Sequence, residues 1–281
     1  MVGYAPPPIR AMTSHPTILV FDSGLGGLTV YREIAAVRPD ARLVYVADDL
    51  AFPYGRLNEE ALTARVGDVM ATLIGTYQPD LIVIACNTAS TIVLADLRRR
   101  FSLPFIGTVP AIKPACAASS TKQVSVLGTE ATVVREYTKA LIRDFAGGCA
   151  VTLVGAGQLA GYAEAELRGE PAPDAAIAAE MAPCFVDQNG ARTDIIVLAC
   201  THYPLLLSRL QALSPWPVTF IDPAPAIARR VVDLVGAAGP GISPVAAQLH
   251  FTSGRAPSAH LVAVLVGFGL PLTPKSKASA I

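Results

Sequence analysis

Asp80-Leu-Ile-Val-Ile-Ala-Cys86-Asn-Thr88 aligns without a gap on Asp194-Ile-Ile-Val-Leu-Ala-Cys200-Thr-His202, offset by 114 residues. Buried parallel strands are all rich in Val and Ile, so the apolar positions could match by chance. The flanking Asp and the terminal Cys are not explained that way, and they point to an internal duplication. Each copy reads as a strand ending in Ala-Cys. Similar short apolar runs occupy Thr17 to Phe21, Arg42 to Ala47, Pro104 to Ile106, Val124 to Leu127, Val151 to Val154, Val218 to Ile221 and Gln248 to Phe251. Helix-length amphipathic stretches separate them. This alternation predicts an α/β fold, with parallel sheets covered by helices on both faces.

Between the strands, Asn58 can cap a helix that opens with Glu59 and Glu60 and places Leu62, Val66, Val69, Met70 and Leu73 on one face. Thr129 followed by Val133, Val134, Tyr137, Leu141 and Phe145 predicts one further helix, closed by Gly147-Gly148. Residues 163 to 183 also read as helical. The 281 residues suggest two domains. Pro104 to Pro114, with three prolines, is the expected crossing between them. The proline-bearing start, residues 1–15, reads as a flexible leader, and residues 271–281 as a flexible tail.

Hydrophobic residues make up 52% of the chain and charged ones 16%, the opposite of a disordered composition. Twenty-two basic residues balance 22 acidic ones, so no basic field exists to collect phosphates and nucleic acid is not an expected partner. A small molecule fits better. No apolar run is long enough to cross a bilayer; Leu261 to Leu270 is too short, so no membrane role is expected. Five cysteines, odd in number and sparse, suggest reduced thiols and a cytoplasmic location. Four histidines without ligand spacing, and no C-x-x-C, argue against a metal site.

Ligands of open parallel sheets bind beyond the carboxyl ends of the strands, where Cys86 and Cys200 both fall. A helix following each would favour the thiolate through its N-terminal partial charge. Cys116, Cys149 and Cys184 read instead as inert buried residues. Asp22-Ser23-Gly24, with Gly26 and Gly27, reads either as a turn offering backbone N–H groups to a carboxylate or as a plain glycine-rich loop capped by Asp22. Pro53-Tyr54-Gly55 is a turn whose Tyr could cover a pocket. His202, two residues after Cys200, could tune that thiol or act as a capping residue. Gly155-Ala-Gly157-Gln-Leu-Ala160 satisfies a lenient dinucleotide pattern, but no second strand ending in an acidic residue follows, so a nicotinamide site is not expected.

Taken together, Phe21-Asp-Ser-Gly-Leu-Gly-Gly-Leu-Thr-Val30, Pro53-Tyr-Gly55, Ala85-Cys-Asn-Thr-Ala89 and Ala199-Cys-Thr-His-Tyr-Pro204 resemble the glutamate racemase family of the aspartate/glutamate racemase superfamily. The likeness covers about residues 16 to 255. Ile106-Gly-Thr-Val-Pro-Ala-Ile-Lys-Pro114 and Ala163-Glu-Ala-Glu-Leu-Arg-Gly-Glu170 look like its proteobacterial branch.

The resemblance implies two similar parallel-sheet α/β domains related by a pseudo-twofold, with the active site in the cleft between them. The first would span 16–110, completed by 224–270, and the second 111–223. It implies no cofactor and a homodimer. It makes Cys86 and Cys200 the catalytic thiols, assisted by Asp22, His202 and Glu164. Asp22, Ser23, Tyr54, Gly55, Asn87, Thr88, Thr132 and Thr201 match substrate-binding positions. The implied activity is interconversion of L- and D-glutamate, supplying D-glutamate for peptidoglycan, with Cys86 deprotonating the D isomer and Cys200 the L isomer. Ala47, Ala131 and Ala199 stand where the family commonly has Gly, which bears on substrate range and rate.

Racemisation removes a weakly acidic Cα proton and returns one to the opposite face, a task suited to two facing bases. Aspartate, or both acidic amino acids, is an alternative substrate, because one methylene is worth only about 1 to 3 kcal/mol of discrimination. A noncatalytic binder of acidic amino acids would need the carboxylate-holding residues but not both thiols.

Overall fold

The computed structural model describes residues 15–239 and 244–270. The expected tail lies outside them, as does the expected leader except for His15, whose Nδ1 donates to the Asp40 carbonyl at 3.0 Å. The chain forms two compact units. One takes the described residues through Thr108 and those from Ala224 onward; the other is Val109–Pro223.

In chain order the elements begin with β1 (Thr17–Asp22), α1 (Leu28–Val37), β2 (Arg42–Ala47), α2 (Glu59–Tyr77), β3 (Leu81–Ile84), α3 (Asn87–Arg100) and β4 (Phe105–Gly107). The second unit contributes α4 (Ile112–Ala118), β5 (Gln123–Gly128), α5 (Glu130–Val133), α6 (Glu136–Phe145), β6 (Ala150–Gly155), α7 (Leu159–Leu167) and α8 (Asp174–Met181). It continues with β7 (Asp187–Gln188), β8 (Ala191–Arg192), β9 (Ile195–Ala199), α9 (Leu207–Ala212) and β10 (Thr219–Ile221). The chain then adds α10 (Ala224–Val235), β11 (Gln248–Phe251) and α11 (Ala259–Gly267). The expected α/β class is what forms, and every run read as a strand in the sequence is one.

The first sheet runs β11-β2-β1-β3-β4 and the second β10-β9-β5-β6, all parallel. Numbered in chain order within its own sheet, each contains the order 2-1-3-4, and Cys86 and Cys200 each follow the third strand. The order reverses between strands 1 and 3, which is where open sheets bind ligands.

The aspartates of the repeated segment have matching jobs. Asp80 Oδ2 accepts from the Thr17 amide at 2.8 Å, and Asp194 Oδ2 accepts from the Ser120 and Thr121 amides at 2.7 and 3.0 Å. In each unit the carboxylate pins the entry to the first strand beside the third.

Local sequence explains the helices around the first sheet. Asn58 Oδ1 accepts from the Ala61 amide at 2.8 Å and caps α2, whose Leu62, Val66, Val69, Met70 and Leu73 are buried in the unit's core. Burial of each such side chain is worth about 1.5 to 3 kcal/mol. The returning segment is tied down by Arg38, which is only 3% exposed. It donates to the carbonyls of Val235 and Gly236 at the end of α10, both at 2.8 Å, and grips Asp40 through two nitrogens.

The structure corrects two readings. The helix expected after Thr129 is two: Thr129 caps α5, Arg135 is extended, and α6 starts afresh at Glu136. Thr138 Oγ1 donates to the Thr132 carbonyl at 2.7 Å, satisfying the end of α5 and leaving Val134 exposed. Residues 163 to 183 also divide, because Gly169 turns left-handed (φ 84°) and Pro171 and Pro173 follow. In the loop after β1, Gly24, Gly26 and Gly27 all have negative-φ backbone. Gly27 is needed for close approach, since a Cβ there would lie 2.8 Å from Asp22 Cβ and 3.2 Å from Ala85 Cβ.

Candidate active site

In the first unit the register places Asp22 beside Ala47 and Phe21 beside Ile84, so the ends of β1, β2 and β3 lie in a row. Asp22 ends β1, and Ser23, Asp48 and Cys86 follow the strand ends. Cys86 is the residue capping the N-terminus of α3, as expected for a thiol favoured by a helix terminus. Its Sγ lies 3.9 Å from Ser23 Oγ, which in turn donates to Asp22 Oδ1 at 3.4 Å. The same carboxylate oxygen accepts from the Gly24 amide at 2.9 Å, so that N–H is spent within the loop.

Asn87 is 2% exposed, and neither its amide oxygen nor its amide nitrogen has a hydrogen-bond partner among the described residues. A buried amide in that state is costly, and a polar ligand is the group that would satisfy it. Thr88 is buried beside it, as is Ser23 across the strand ends.

Tyr54 is held by a network that the sequence did not reveal. Its OH donates to Asp48 Oδ2 at 2.6 Å, and Asp48, fully buried, also accepts from Arg65 at 3.1 and 2.6 Å and from Thr252 Oγ1 at 2.6 Å. Burial, with the Asp48 carboxylate next, pushes the Tyr54 phenol well above its usual range and keeps it protonated. Gly55 lies beside Tyr54 in a short exposed turn.

In the second unit Gly128 pairs with Ala199, which places Thr129 to Thr132 next to Cys200 at adjacent strand ends. Ala199 is fully buried there. The expected helix terminus is missing at Cys200: a turn and a single 3-10 turn, Tyr203–Leu206, intervene before α9. A side-chain relay takes its place. Cys200 Sγ lies 3.8 Å from His202 Nδ1, and His202 Nε2 lies 3.0 Å from Glu164 Oε1 on α7. Burial opposes a charge on His202, but hydrogen bonds to Cys200 and Glu164 outweigh it and hold its pKa well above the ordinary value. The imidazolium is therefore the favoured form, donating from both ring nitrogens.

Thr132 and Thr201 are buried in this unit, the former with its hydroxyl 2.8 Å from that of Thr129. The three remaining cysteines lie elsewhere. Burial pushes Cys184 up to about 12 and Cys116 up to about 11, so both stay as thiols at neutral pH. Among the described residues no group of three or more His, Cys, Asp or Glu could hold a metal ion, and no helix is long and apolar enough to cross a membrane.

Two parallel sheets of like order, each ending its third strand in a thiol backed by a polar residue and a carboxylate, belong to a defined class. The sequence profile of the Asp/Glu/Hydantoin racemase family matches residues 19–231, and the chain belongs to that family. Within it the likeness is to glutamate racemases. The chain is 53% identical over 255 residues to the glutamate racemase of Brucella canis, covering 90% of this chain and 92% of that protein. With that of Brucella anthropi it shares 58% over 219 residues, 78% and 79% of the two chains. The crystal structure of Escherichia coli glutamate racemase in complex with L-glutamate and the activator UDP-MurNAc-ala superimposes with a TM-score of 0.83 at 38% identity. The match covers 91% of this chain and 96% of that one.

Proposed function

We propose that the chain interconverts L- and D-glutamate by proton transfer at Cα, with Cys86 and Cys200 as the two acid–base groups and no cofactor. The observation that carries this reading is the matched construction of the two thiols, Cys86–Ser23–Asp22 and Cys200–His202–Glu164. One thiolate takes the Cα proton, leaving the electron pair on a carbanion conjugated with the carboxylate. The other thiol gives its proton to the opposite face and becomes the thiolate for the reverse reaction. Cys200 acts on the L isomer and Cys86 on the D isomer. Substrate carboxylates and ammonium are held by Asp22, Ser23, Tyr54, Gly55, Asn87, Thr88, Thr132 and Thr201. Donors among these groups stabilise the developing charge. The unsatisfied amide of Asn87 supports that assignment.

Several broader expectations belong to the same reading: the enzyme is a cytoplasmic homodimer and supplies D-glutamate for peptidoglycan. The substrates named for the Brucella and Escherichia coli relatives favour glutamate over aspartate.

The test is circular dichroism of purified protein with L-glutamate and, separately, L-aspartate, without added pyridoxal phosphate, nicotinamide or metal. In D₂O the product enantiomer should carry deuterium at Cα from its first appearance. Early product retaining the substrate's own hydrogen would point to a single base and overturn the two-thiol mechanism.

A further inference from the structure

The carboxylate behind His202 has a second partner whose role the two-thiol reading leaves open. Glu164, only 2% exposed, gives Oε1 to His202 and Oε2 to Arg168 Nη2 at 2.8 Å, four residues on at the C-terminal cap of α7. The Arg168 side chain is 47% exposed, so its guanidinium stands between the buried carboxylate and solvent. We infer that Arg168 is a positioning residue for Cys200, holding Glu164 ionised and oriented so that His202 stays against the thiol.

Charge balance gives the physical reason. With Cys200 as thiolate and His202 as imidazolium, the buried set carries two negative charges and one positive; the guanidinium makes it neutral. Without it the surplus negative charge opposes the thiolate. The alternative, protonation of Glu164, takes the negative charge from the acceptor that fixes the imidazole ring and so weakens its hold. Either way Cys200 holds its proton more tightly.

None of Tyr203, Glu180, Cys184, Glu166 and Asp174 can replace Arg168, because none of them carries a positive charge. Tyr203, fully buried, interacts with Cys200 and is kept protonated by burial and by the charges around it. Glu180 on α8 accepts from the Gln158 amide, and Cys184 is held as a thiol. Glu166, on the same helix, and Asp174 on α8 are both engaged by Arg209.

The inference rests on Cys200 being a reacting thiol, and its test reads that thiol directly. Alkylation of Cys200 by iodoacetamide is followed against pH by mass spectrometry in wild type, Arg168→Met, Arg168→Lys, Glu164→Gln and the double variant Glu164→Gln/Arg168→Met. In Arg168→Met the midpoint for Cys200 should move upward, with about tenfold slower labelling below it, the scale of one charge-assisted hydrogen bond. Arg168→Lys should recover most of the loss. In the Glu164→Gln background the Arg168 change should add little. Cys86, in the other unit, supplies the control and should not move.

The thiolate ultraviolet absorbance that disappears on Cys200→Ser measures the same titration without a reagent. An unchanged Cys200 midpoint, an equal shift at Cys86, or a full Arg168 effect in the Glu164→Gln background would each overturn the inference. Wild type that fails to racemise glutamate while the Cys200 shift is present would overturn the proposed activity and leave the role of Arg168 standing. In an active enzyme, kcat/KM should fall about tenfold in both directions alike, since the enantiomers are equal in free energy.

Discussion

Asn87→Ala separates binding from stability in one substitution. Its amide oxygen and nitrogen are buried without partners among the described residues, and an amide left in that state costs about 1 to 3 kcal/mol. Replacing the residue removes that cost, and Ala at the first position of α3 gains about 0.5 kcal/mol of helix propensity. Against this stands the packing of three deleted side-chain heavy atoms, of order 1 to 2 kcal/mol. The variant should therefore unfold in urea at the same stability as wild type or up to about 2 kcal/mol above it. Saturating glutamate reverses the order. At a hundred times its Kd it stabilises wild type by about 2.7 kcal/mol. Two lost hydrogen bonds to a charged ligand, about 3 kcal/mol together, weaken binding by about two orders of magnitude. The same glutamate concentration then stabilises the variant by only about 0.4 kcal/mol. Urea titrations with and without glutamate, together with kcat/KM by circular dichroism, measure both terms. A loss of more than about 1 kcal/mol without ligand, with the glutamate effect intact, would show instead that the amide serves the fold.

Two further outcomes follow from the second unit. The folded-state pKa of His202 is raised by Cys200 and Glu164 against the effect of burial, so its charge stabilises the fold fully below the unfolded value of about 6.5 and progressively less as pH rises through the folded value. His202→Gln should thus cost most stability at acidic to neutral pH and least at alkaline pH; urea midpoints across that range decide it, and a gap that widens with pH would contradict it. Asp194 accepts from Ser119, Ser120 and Thr121, which hold its carboxyl far below the usual range despite burial. Asp194→Ala should lose about 2 kcal/mol in the same assay, and a neutral result would show that this anchor of the β5–β9 pair is dispensable.

Residues near in sequence carried much of the site. Cys86 and Cys200 could be placed at strand ends because a strand buried on both faces needs an apolar run, and the residue after the run is forced to the sheet edge where ligands bind. The Asn58 cap and the apolar face of α2 were legible for the same reason: they depend on spacing within a few residues. The division of α5 from α6 was not. Its apolar spacing suits one helix, and the break depends on Thr138 reaching back to the Thr132 carbonyl within the folded unit.

The α/β class, the repeated strand segment and the positions of the two thiols can be read from the chain alone, because strand length, hydrophobic run and residue order are local properties. What each thiol faces depends on the folded chain. Glu164 meets His202 across 38 residues, and Thr252 meets Asp48 across 204. No spacing rule links such pairs. They become neighbours only when parallel strands, connected through helices, bring their carboxyl ends to one edge of the sheet. The same holds for Cys200, where the expected helix terminus gives way to an imidazole and a buried carboxylate. A short turn leaves no aligned peptide dipoles at the thiol, so side-chain charges supply the field there.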